Sequence, residues 1–336
     1  MQRHHTPTGF KNNYTDAIPG TLADLLRWKI NAWRHNLPPA PQTPTPTAVP
    51  DIPALHANTG AAMQPAITWV GHATMLVQAS GLHVLTDPVF SDRASPLQFA
   101  GPLRAQPPGV ALADLPPIDV VLISHNHYDH LDVHAVQALN RHAQGATLFI
   151  VPLGLKAWFA RQGITQVVEL DWWQQHTLRG VEFHLTPVQH WSARALGDRL
   201  QSQWGGWAVF GADFHWYFSG DTGYSQDFKD TRAHFQARSP DGFDLALIAV
   251  GAYEPRWFMQ NQHINPAEAV QIHRDLHAKR SVGVHWGTFN LTDEPLDQPP
   301  KDLAAARRAQ GVADDDFFLL KIGETRRLPA RHSGSK

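Results

Sequence analysis

Short apolar runs separated by turn residues dominate the chain from residue 66 onward. Such runs, bounded by glycine, proline, asparagine or aspartate, predict β-strands. They occur at residues 66–70, 74–79, 83–86, 120–124, 147–151, 166–170, 181–188, 206–212, 215–219, 245–250 and 281–285. Segments with apolar residues at helical spacing predict helices at residues 132–142, 155–161 and 266–278. This order predicts an α+β fold in which two mostly antiparallel sheets lie between helical layers.

The region before residue 66 has a different pattern. Residues 21–35 predict a short amphipathic helix capped by Thr21, and its apolar stripe comprises Leu22, Leu25, Leu26, Ile30 and Trp33. This stripe either docks on the domain or lies in a lipid interface. Prolines recur through residues 37–53 and predict an extended linker. We therefore expect an N-terminal extension at 1–36, a proline-rich linker at 37–65 and one large domain at 66–336.

Composition limits the function classes. Lys and Arg number 28 against 30 Asp and Glu, and the formal charge of −2 argues against a protein that wraps nucleic acid. The chain has no cysteine, so a metal site must use imidazole, carboxylate or water, which favours zinc, manganese or iron. Residues 1–10 lack a signal-peptide pattern, and no apolar run is long enough to span a membrane. We expect a cytoplasmic protein, with peripheral contact at the inner membrane face left open.

Residues of metal-ligand type stand where several predicted strands end. A strand that ends in the dense group at 125–130 can offer ligands to two cations, because side chains two apart point the same way until the chain bends. Later strands end in single residues of the same type. The full set is His125, His127, Asp129, His130, His190, Asp221 and His285. Zinc sites are usually assembled from element ends that converge in space, so this repetition predicts a metal centre.

The order His-x-His-x-Asp-His, then His, Asp and His, resembles the metallo-β-lactamase superfamily of binuclear metallohydrolases. Narrower motifs resemble the phospholipases D that hydrolyse N-acylphosphatidylethanolamine, namely Leu85–Phe90, Ser124–Asp132, Gln189–Trp191, Gly220–Tyr224, Gly251–Met259, Gln262–His263 and His285–Phe289. The resemblance runs from near Ala66 to Lys321 and implies an αββα sandwich. It implies two zinc ions, with the first held by His125, His127 and His190, the second by Asp129, His130 and His285, and both bridged by Asp221.

The resemblance also assigns residues around the metals. Asp87 matches a carboxylate that orients a ligand imidazole, and the alternative is an ordinary turn aspartate before proline. Gln262 and His263 are implied to face the site, where His263 binds the phosphate or protonates the leaving alcohol. The alternative for His263 is a surface residue at the start of a helix. Tyr128 is expected to contact the substrate as well.

These assignments imply a hydrolase in which a metal-bound hydroxide, oriented by Asp129 or Asp221, attacks phosphorus. The implied substrate is the phospholipid N-acylphosphatidylethanolamine, split into phosphatidic acid and an N-acylethanolamine. A homodimer is suggested by the resemblance alone. One alternative is another hydrolase of this fold, such as a sugar-phosphate lactonase or a soluble phosphodiesterase. A second alternative is a non-catalytic metal-binding protein that is membrane-associated or regulatory.

Overall fold

The computed structural model describes residues 3–16, 20–195 and 197–331, and the side chain of Leu22 lies outside this description. The strands are β1 (His5–Thr6), β2 (Gly9–Phe10), β3 (Ala66–Gly71), β4 (Thr74–Ala79), β5 (Leu82–Thr86), β6 (Val120–Leu122), β7 (Leu148–Pro152), β8 (Val167–Leu170), β9 (Gln175–Leu178), β10 (Val181–Thr186), β11 (Gly206–Phe210), β12 (His215–Phe218), β13 (Leu245–Ala249), β14 (Ser281–Val284), β15 (Phe317–Phe318) and β16 (Thr325–Arg327). The helices are α1 (Leu22–Arg34), α2 (Ile52–Ala57), α3 (Val133–His142), α4 (Lys156–Arg161), α5 (Asp227–His234), α6 (Arg256–Met259), α7 (Pro266–Asp275) and α8 (Gln298–Gln310).

Within the described residues, β3 to β16 form two seven-stranded sheets, in the orders β16-β3-β4-β5-β6-β7-β8 and β15-β14-β13-β12-β11-β10-β9. In each sheet, three of the pairings are antiparallel and three are parallel. The expectation of mostly antiparallel sheets is therefore corrected to two evenly mixed sheets. The reason is the crossover connections, because α3 and α4 return the chain so that β6, β7 and β8 run the same way.

The packing of β6 shows why the layers are ordered as they are. Val120 and Leu122 belong to the apolar core that joins the two sheets, whereas Val121 and Ile123 belong to a second core shared with α3 and α4. Burial on both faces explains the uninterrupted apolar run of this strand. The two sheets thus face each other with helices outside, and the expected αββα sandwich is confirmed.

The N-terminal segment packs on the sandwich. The β1–β2 hairpin is held at His4 and His5, whose Nε2 atoms lie 2.7 and 2.8 Å from the two carboxylate oxygens of Asp171. Phe10 is buried, and its backbone N–H donates to the carbonyl of Leu200 at 2.9 Å. The division of the chain at residues 36 and 65 stays a prediction.

Helix α1 begins at the expected cap. The Thr21 hydroxyl accepts the backbone N–H of Asp24, and the Asp24 carboxylate accepts the N–H of Thr21 in return, which is a capping box. The helix docks through the buried Trp28 and Ala32. Most of the predicted apolar stripe faces outward, because Leu25, Leu26, Ile30 and Trp33 are exposed.

The proline-rich region is extended up to residue 50 and lies along the domain, where Thr47 bridges to Ile322. It then forms α2, capped by Asp51, with Pro53 in the first turn, where a missing N–H is tolerated. Among the helices in the described ranges, none is both long and apolar enough to cross a bilayer.

Candidate metal centre

The metal-ligand residues predicted from the sequence converge at one end of the sandwich. Residues 125–130 follow β6 in one sheet, and the remaining three follow strands of the other sheet. Asp132 ends the turn after β6 by capping α3, since its Oδ1 accepts the His134 N–H at 2.9 Å. His190 follows β10, Asp221 follows β12, and His285 follows β14. The structure thereby brings all seven predicted donors together.

Three imidazoles form the first donor cluster. His125 Nε2 lies 2.8 Å from His127 Nδ1, which in turn lies 3.4 Å from His190 Nε2. Burial lowers the pKa of His127 to about 4 and holds the pKa of His125 and of His190 well below the usual range. The three rings are therefore neutral near pH 7, which is the form that binds a metal.

The second donor cluster contains Asp129, His130 and His285, together with His72, which the sequence reasoning missed. Asp129 Oδ2 lies 3.5 Å from His130 Nε2, 3.3 Å from His285 Nε2 and 3.1 Å from His72 Nε2. The backbone carbonyl of His72 also accepts the N–H of His285 at 3.0 Å. His72 therefore holds two members of the cluster, one through its side chain and one through its main chain.

Asp221 lies between the two clusters. Its Oδ2 is 3.1 Å from His130 Nε2, and its Oδ1 is 3.1 Å from His285 Nε2. The same Oδ2 is 4.0 Å from His125 Nε2 and 3.9 Å from His190 Nε2 in the first cluster. A carboxylate in this place can contact a cation in either cluster.

Protons balance the charge of the second cluster. Burial opposes ionisation of Asp129 and Asp221, but His130 and His285 outweigh it and hold the pKa of both carboxyls well below the usual range. Burial also opposes charge on the imidazoles, yet the two carboxylates raise the pKa of His285 to about 9 and that of His130 well above its usual value. Two imidazolium ions and two carboxylates thus lie side by side, and only Asp129 among them is partly exposed.

Several buried polar atoms of the site fit a cation better than they fit one another. His285 Nε2, His130 Nε2 and Asp221 Oδ1 are buried without a hydrogen bond of good geometry. Buried polar groups are normally satisfied, so these atoms call for a bound partner. A donor set made only of imidazole and carboxylate suits zinc and other divalent transition metals. The residues therefore fit the metal that this donor pattern implies.

Hydrogen bonds to the Nδ1 atoms of two candidate ligand imidazoles orient these rings. Asp87 Oδ2 accepts from His130 Nδ1 at 2.6 Å, and Asp87 Oδ1 accepts the backbone N–H of Ser124 at 2.7 Å. These are the contacts expected of a carboxylate that fixes a ligand imidazole. On the other side, His190 Nδ1 donates to the carbonyl of Gln262 at 2.9 Å.

Asn12 supports His190 as well, and sequence reasoning gave no signal for it. Its Nδ2 donates to the His190 carbonyl at 2.9 Å, and its Oδ1 accepts the His190 N–H at 3.0 Å. One side chain from the N-terminal segment thus satisfies both main-chain polar groups of a ligand.

Three residues of the site have left-handed backbone conformations, with φ of 52° at His72, 32° at Asp87 and 61° at His285. Such values are uncommon outside glycine and persist only where the surroundings hold them. Their concentration around the second cluster is typical of a functional site.

The residues expected to contact substrate lie in different places. His263 borders the donors, with Nδ1 3.7 Å from Asp221 Oδ2, and burial lowers its pKa to about 4. The side chain of Gln262 lines the same groove. Within the described residues, the groove lining does not include Tyr128, whose hydroxyl donates to the carbonyl of Arg194 at 2.8 Å. Its expected contact with substrate has no support in this geometry and stays a prediction.

A groove of about 500 Å³ opens over the donors. Its polar lining includes His127, Asp129, Asp221 and His263. Its apolar lining comes from several elements, and α1 and α6 supply much of it, with Leu25, Trp28, Trp191, Phe258, Met259 and Leu291. A polar reacting group can therefore reach the donors while apolar chains stay against the walls.

The sandwich and its cluster of histidines and aspartates define the class of metal-dependent hydrolases with the metallo-β-lactamase fold. The pattern of the beta-lactamase superfamily domain matches residues 83–286. The chain is 42% identical over 272 residues to N-acyl-phosphatidylethanolamine-hydrolyzing phospholipase D 1 of Caenorhabditis elegans, covering 76% of this chain and 74% of that protein. The chain therefore belongs to the beta-lactamase superfamily, as a relative of these phospholipases D, and it is an enzyme.

Two further comparisons agree. The chain is 33% identical over 310 residues to the mitochondrial N-acyl-phosphatidylethanolamine-hydrolyzing phospholipase D of Saccharomyces cerevisiae, covering 87% of this chain and 64% of that protein. The crystal structure of isothiocyanate hydrolase from Delia radicum gut bacteria matches with a TM-score of 0.61 at 20% identity, covering 79% of this chain and 99% of that one. The second match concerns the fold alone.

Proposed function

We propose that the protein is a phospholipase D-type phosphodiesterase that hydrolyses N-acylphosphatidylethanolamine to phosphatidic acid and an N-acylethanolamine, with two Zn²⁺ ions as cofactors. One observation carries the proposal, which is the opening of both donor clusters into a single groove with largely apolar walls. A phosphodiester with attached acyl chains matches this division between polar donors and apolar lining. The similarity to the nematode and yeast enzymes supports the choice of substrate.

The ligand assignment follows the clusters. His125, His127 and His190 would hold one cation, Asp129, His130 and His285 the other, and Asp221 both. When bound, the two cations supply Lewis acidity, which lowers the pKa of a water molecule and stabilises charge on phosphoryl oxygens.

Asp129 is suited to orient the attacking water. It is the carboxylate of the second cluster that remains partly exposed on the groove, and its low pKa keeps it ionised. An ionised carboxylate accepts a hydrogen bond from water and so directs the oxygen toward phosphorus. His72 acts through Asp129, because its Nε2 lies 3.1 Å from the Oδ2 atom and fixes the carboxylate plane.

His263 is suited to move the proton. Water adds to phosphorus, the bond from phosphorus to the ethanolamine oxygen breaks, and that oxygen needs a proton to leave as an alcohol. With a pKa of about 4, the His263 imidazole is neutral near pH 7, so it can accept a proton from the water and pass it to the leaving oxygen. Gln262 beside it adds a buried Oε1 atom that has no hydrogen-bond partner.

The apolar walls then act on binding rather than on bond cleavage. Leu25, Trp28 and Phe258 can contact the acyl chains and keep bulk water from the donors. Peripheral contact with the inner face of a membrane follows from such a substrate and belongs to this proposal. Homodimerisation stays a prediction.

The test compares release of N-acylethanolamine from phospholipid vesicles with hydrolysis of bis(p-nitrophenyl) phosphate and of sugar-phosphate lactones. We expect a preference for the vesicle substrate and close to two metal ions per chain. His263→Ala should lower kcat at least about a hundredfold on the lipid, whereas His142→Ala, on an exposed helix end, serves as the matched control. Preference for the soluble esters would favour the other hydrolases of this fold, and absence of bound metal would refute the proposal.

A further inference from the structure

We propose that the outer face of α1, together with Trp257 on α6, is a docking surface for an anionic phospholipid membrane. This docking surface consists of Leu25, Leu26, Ile30, Trp33 and Trp257. The inference rests on the proposed function, because it explains how a lipid substrate reaches the groove, and it names the part of the molecule that contacts the bilayer.

The docking surface is apolar and open. Trp33 is 82% exposed, Leu26 is 54% exposed, and Ile30 and Trp257 are 49% and 44% exposed. Single exposed apolar residues are ordinary, but a contiguous group of large ones marks an interaction site. Leu26, Ile30 and Trp257 line one shared hollow, which shows that the two helices form a continuous surface.

Helix α1, which carries most of this surface, is held to the domain by its inner face. Trp28 Nε1 donates to Asp293 Oδ1 at 2.8 Å, and the Trp28 ring packs against Phe258 with centroids 5.1 Å apart. The outward face of α1 is therefore presented by contacts of the folded domain. It does not need to fold on a partner.

Charge selects the partner. Arg27 and Arg34 line the same hollow as Leu26 and Ile30. Asp24 is the one carboxylate of the helix, and it is engaged in the cap. The guanidinium of Arg27 also lies 4.8 Å from the centroid of the Trp257 ring. Cations next to leucine and indole side chains are the pattern of a helix that lies at an anionic bilayer surface.

The docking surface is continuous with the candidate metal centre. Leu25 belongs to it and also lines the groove over the donors, where Trp28 from the next turn joins it. A bilayer seated on α1 would thus lie at the mouth of the groove, and a phospholipid could slide along apolar side chains to the donors. A second protein molecule on the same face would instead close this route.

The experiment measures co-sedimentation of the full chain with vesicles of phosphatidylcholine alone and of phosphatidylcholine with phosphatidylglycerol, without N-acylphosphatidylethanolamine. We expect binding to the anionic vesicles. Leu26→Ser with Trp33→Ser should abolish it. Arg27→Gln with Arg34→Gln should weaken it by about fivefold for each cation removed, and added salt should weaken it further. Val49→Ser removes an exposed apolar side chain outside α1 and is the matched control.

Activity separates this inference from the proposed function. The α1 variants should lose turnover on vesicles but keep it on substrate dispersed in detergent micelles. Wild-type binding to vesicles without any lipid hydrolysis would refute the proposed function and leave the docking surface standing. Equal binding by the α1 variants and the wild type, or equal binding to neutral and anionic vesicles, would overturn the docking surface. A smaller oligomer in the α1 variants, with vesicle binding unchanged, would also overturn the docking surface. That result would show that a second copy of the chain covers this face.

Discussion

Replacing Asn12 with alanine tests whether the N-terminal segment holds a metal ligand in place. The side chain makes two hydrogen bonds to the main chain of His190, at 2.9 and 3.0 Å, and accepts a third from Trp204 Nε1 at 3.1 Å. Trp204 retains a second acceptor, the carbonyl of Val188 at 3.0 Å. The damage from Asn12→Ala therefore falls on His190.

The size of the effect follows from burial. His190 is almost completely buried, and an unpaired buried donor or acceptor costs about 1–3 kcal/mol. Asn12 itself is half-buried, so water can replace part of what is lost. We expect the free energy of unfolding of the metal-free protein to fall by about 1–3 kcal/mol in total. We also expect the metal affinity of the first cluster to fall about tenfold, as is usual when a group that orients a ligand is removed.

Chemical denaturation measures the first quantity, and competition with a chromophoric chelator measures the second. Asn13→Ala is a matched control, because Asn13 is the next residue and its Nδ2 donates to Asp227 Oδ1 at 2.8 Å, away from the donors. The control should lose a comparable hydrogen bond and keep its metal affinity. If both variants bound metal equally well, the segment would be packing on the domain without supporting the ligand.

Three further changes have definite expected outcomes. Asp87→Asn should lower metal affinity about 10- to 100-fold, because the Nδ1–H of His130 loses its carboxylate acceptor; unchanged affinity in the chelator assay would show that Asp87 has only a turn role. Asp129→Asn should lower kcat on lipid at least about a hundredfold with an unchanged circular dichroism spectrum, and retained turnover would remove this carboxylate from the mechanism. The pKa of His285 is raised to about 9, so a metal ion that binds near neutral pH must displace its proton. Metal affinity should therefore rise about tenfold per pH unit for each proton released, up to about pH 9. Calorimetry in buffers of different ionisation enthalpy should detect the released proton. In the metal-free protein, the proton on His285 stabilises the folded state. This contribution to the free energy of unfolding is fully present below about pH 6.5 and is lost as the pH rises through about 9. Chemical denaturation across this pH range measures it.

The strands that build the core could be predicted because burial on both faces leaves a continuous apolar run, as in β6. Other elements leave no such mark. Strand β9 is an edge strand whose residues alternate between exposed and half-buried, so its sequence is largely polar. Helix α8 has prolines at its second and third residues, which resemble a break in the sequence although the first helical turn tolerates them.

The donors of the candidate centre were predictable because they follow strands in a recognisable order. His72 was not, since it stands in a short connection between β3 and β4, and its left-handed backbone is visible only in three dimensions. The role of Asn12 could not be predicted either, because Asn12 and His190 are 178 positions apart in the sequence. No local pattern records such a pairing.

The groove over the donors is built from two parts of the chain. Its donors lie within residues 83–286, the stretch that matches the superfamily domain, whereas Leu25 and Trp28 come from α1, outside that stretch. Under the proposed function, substitutions in α1 are expected to alter which acyl chains the groove accepts without displacing a donor atom. Exchanging this one helix is therefore the direct way to change the selectivity proposed here while every donor of the metal centre stays in place.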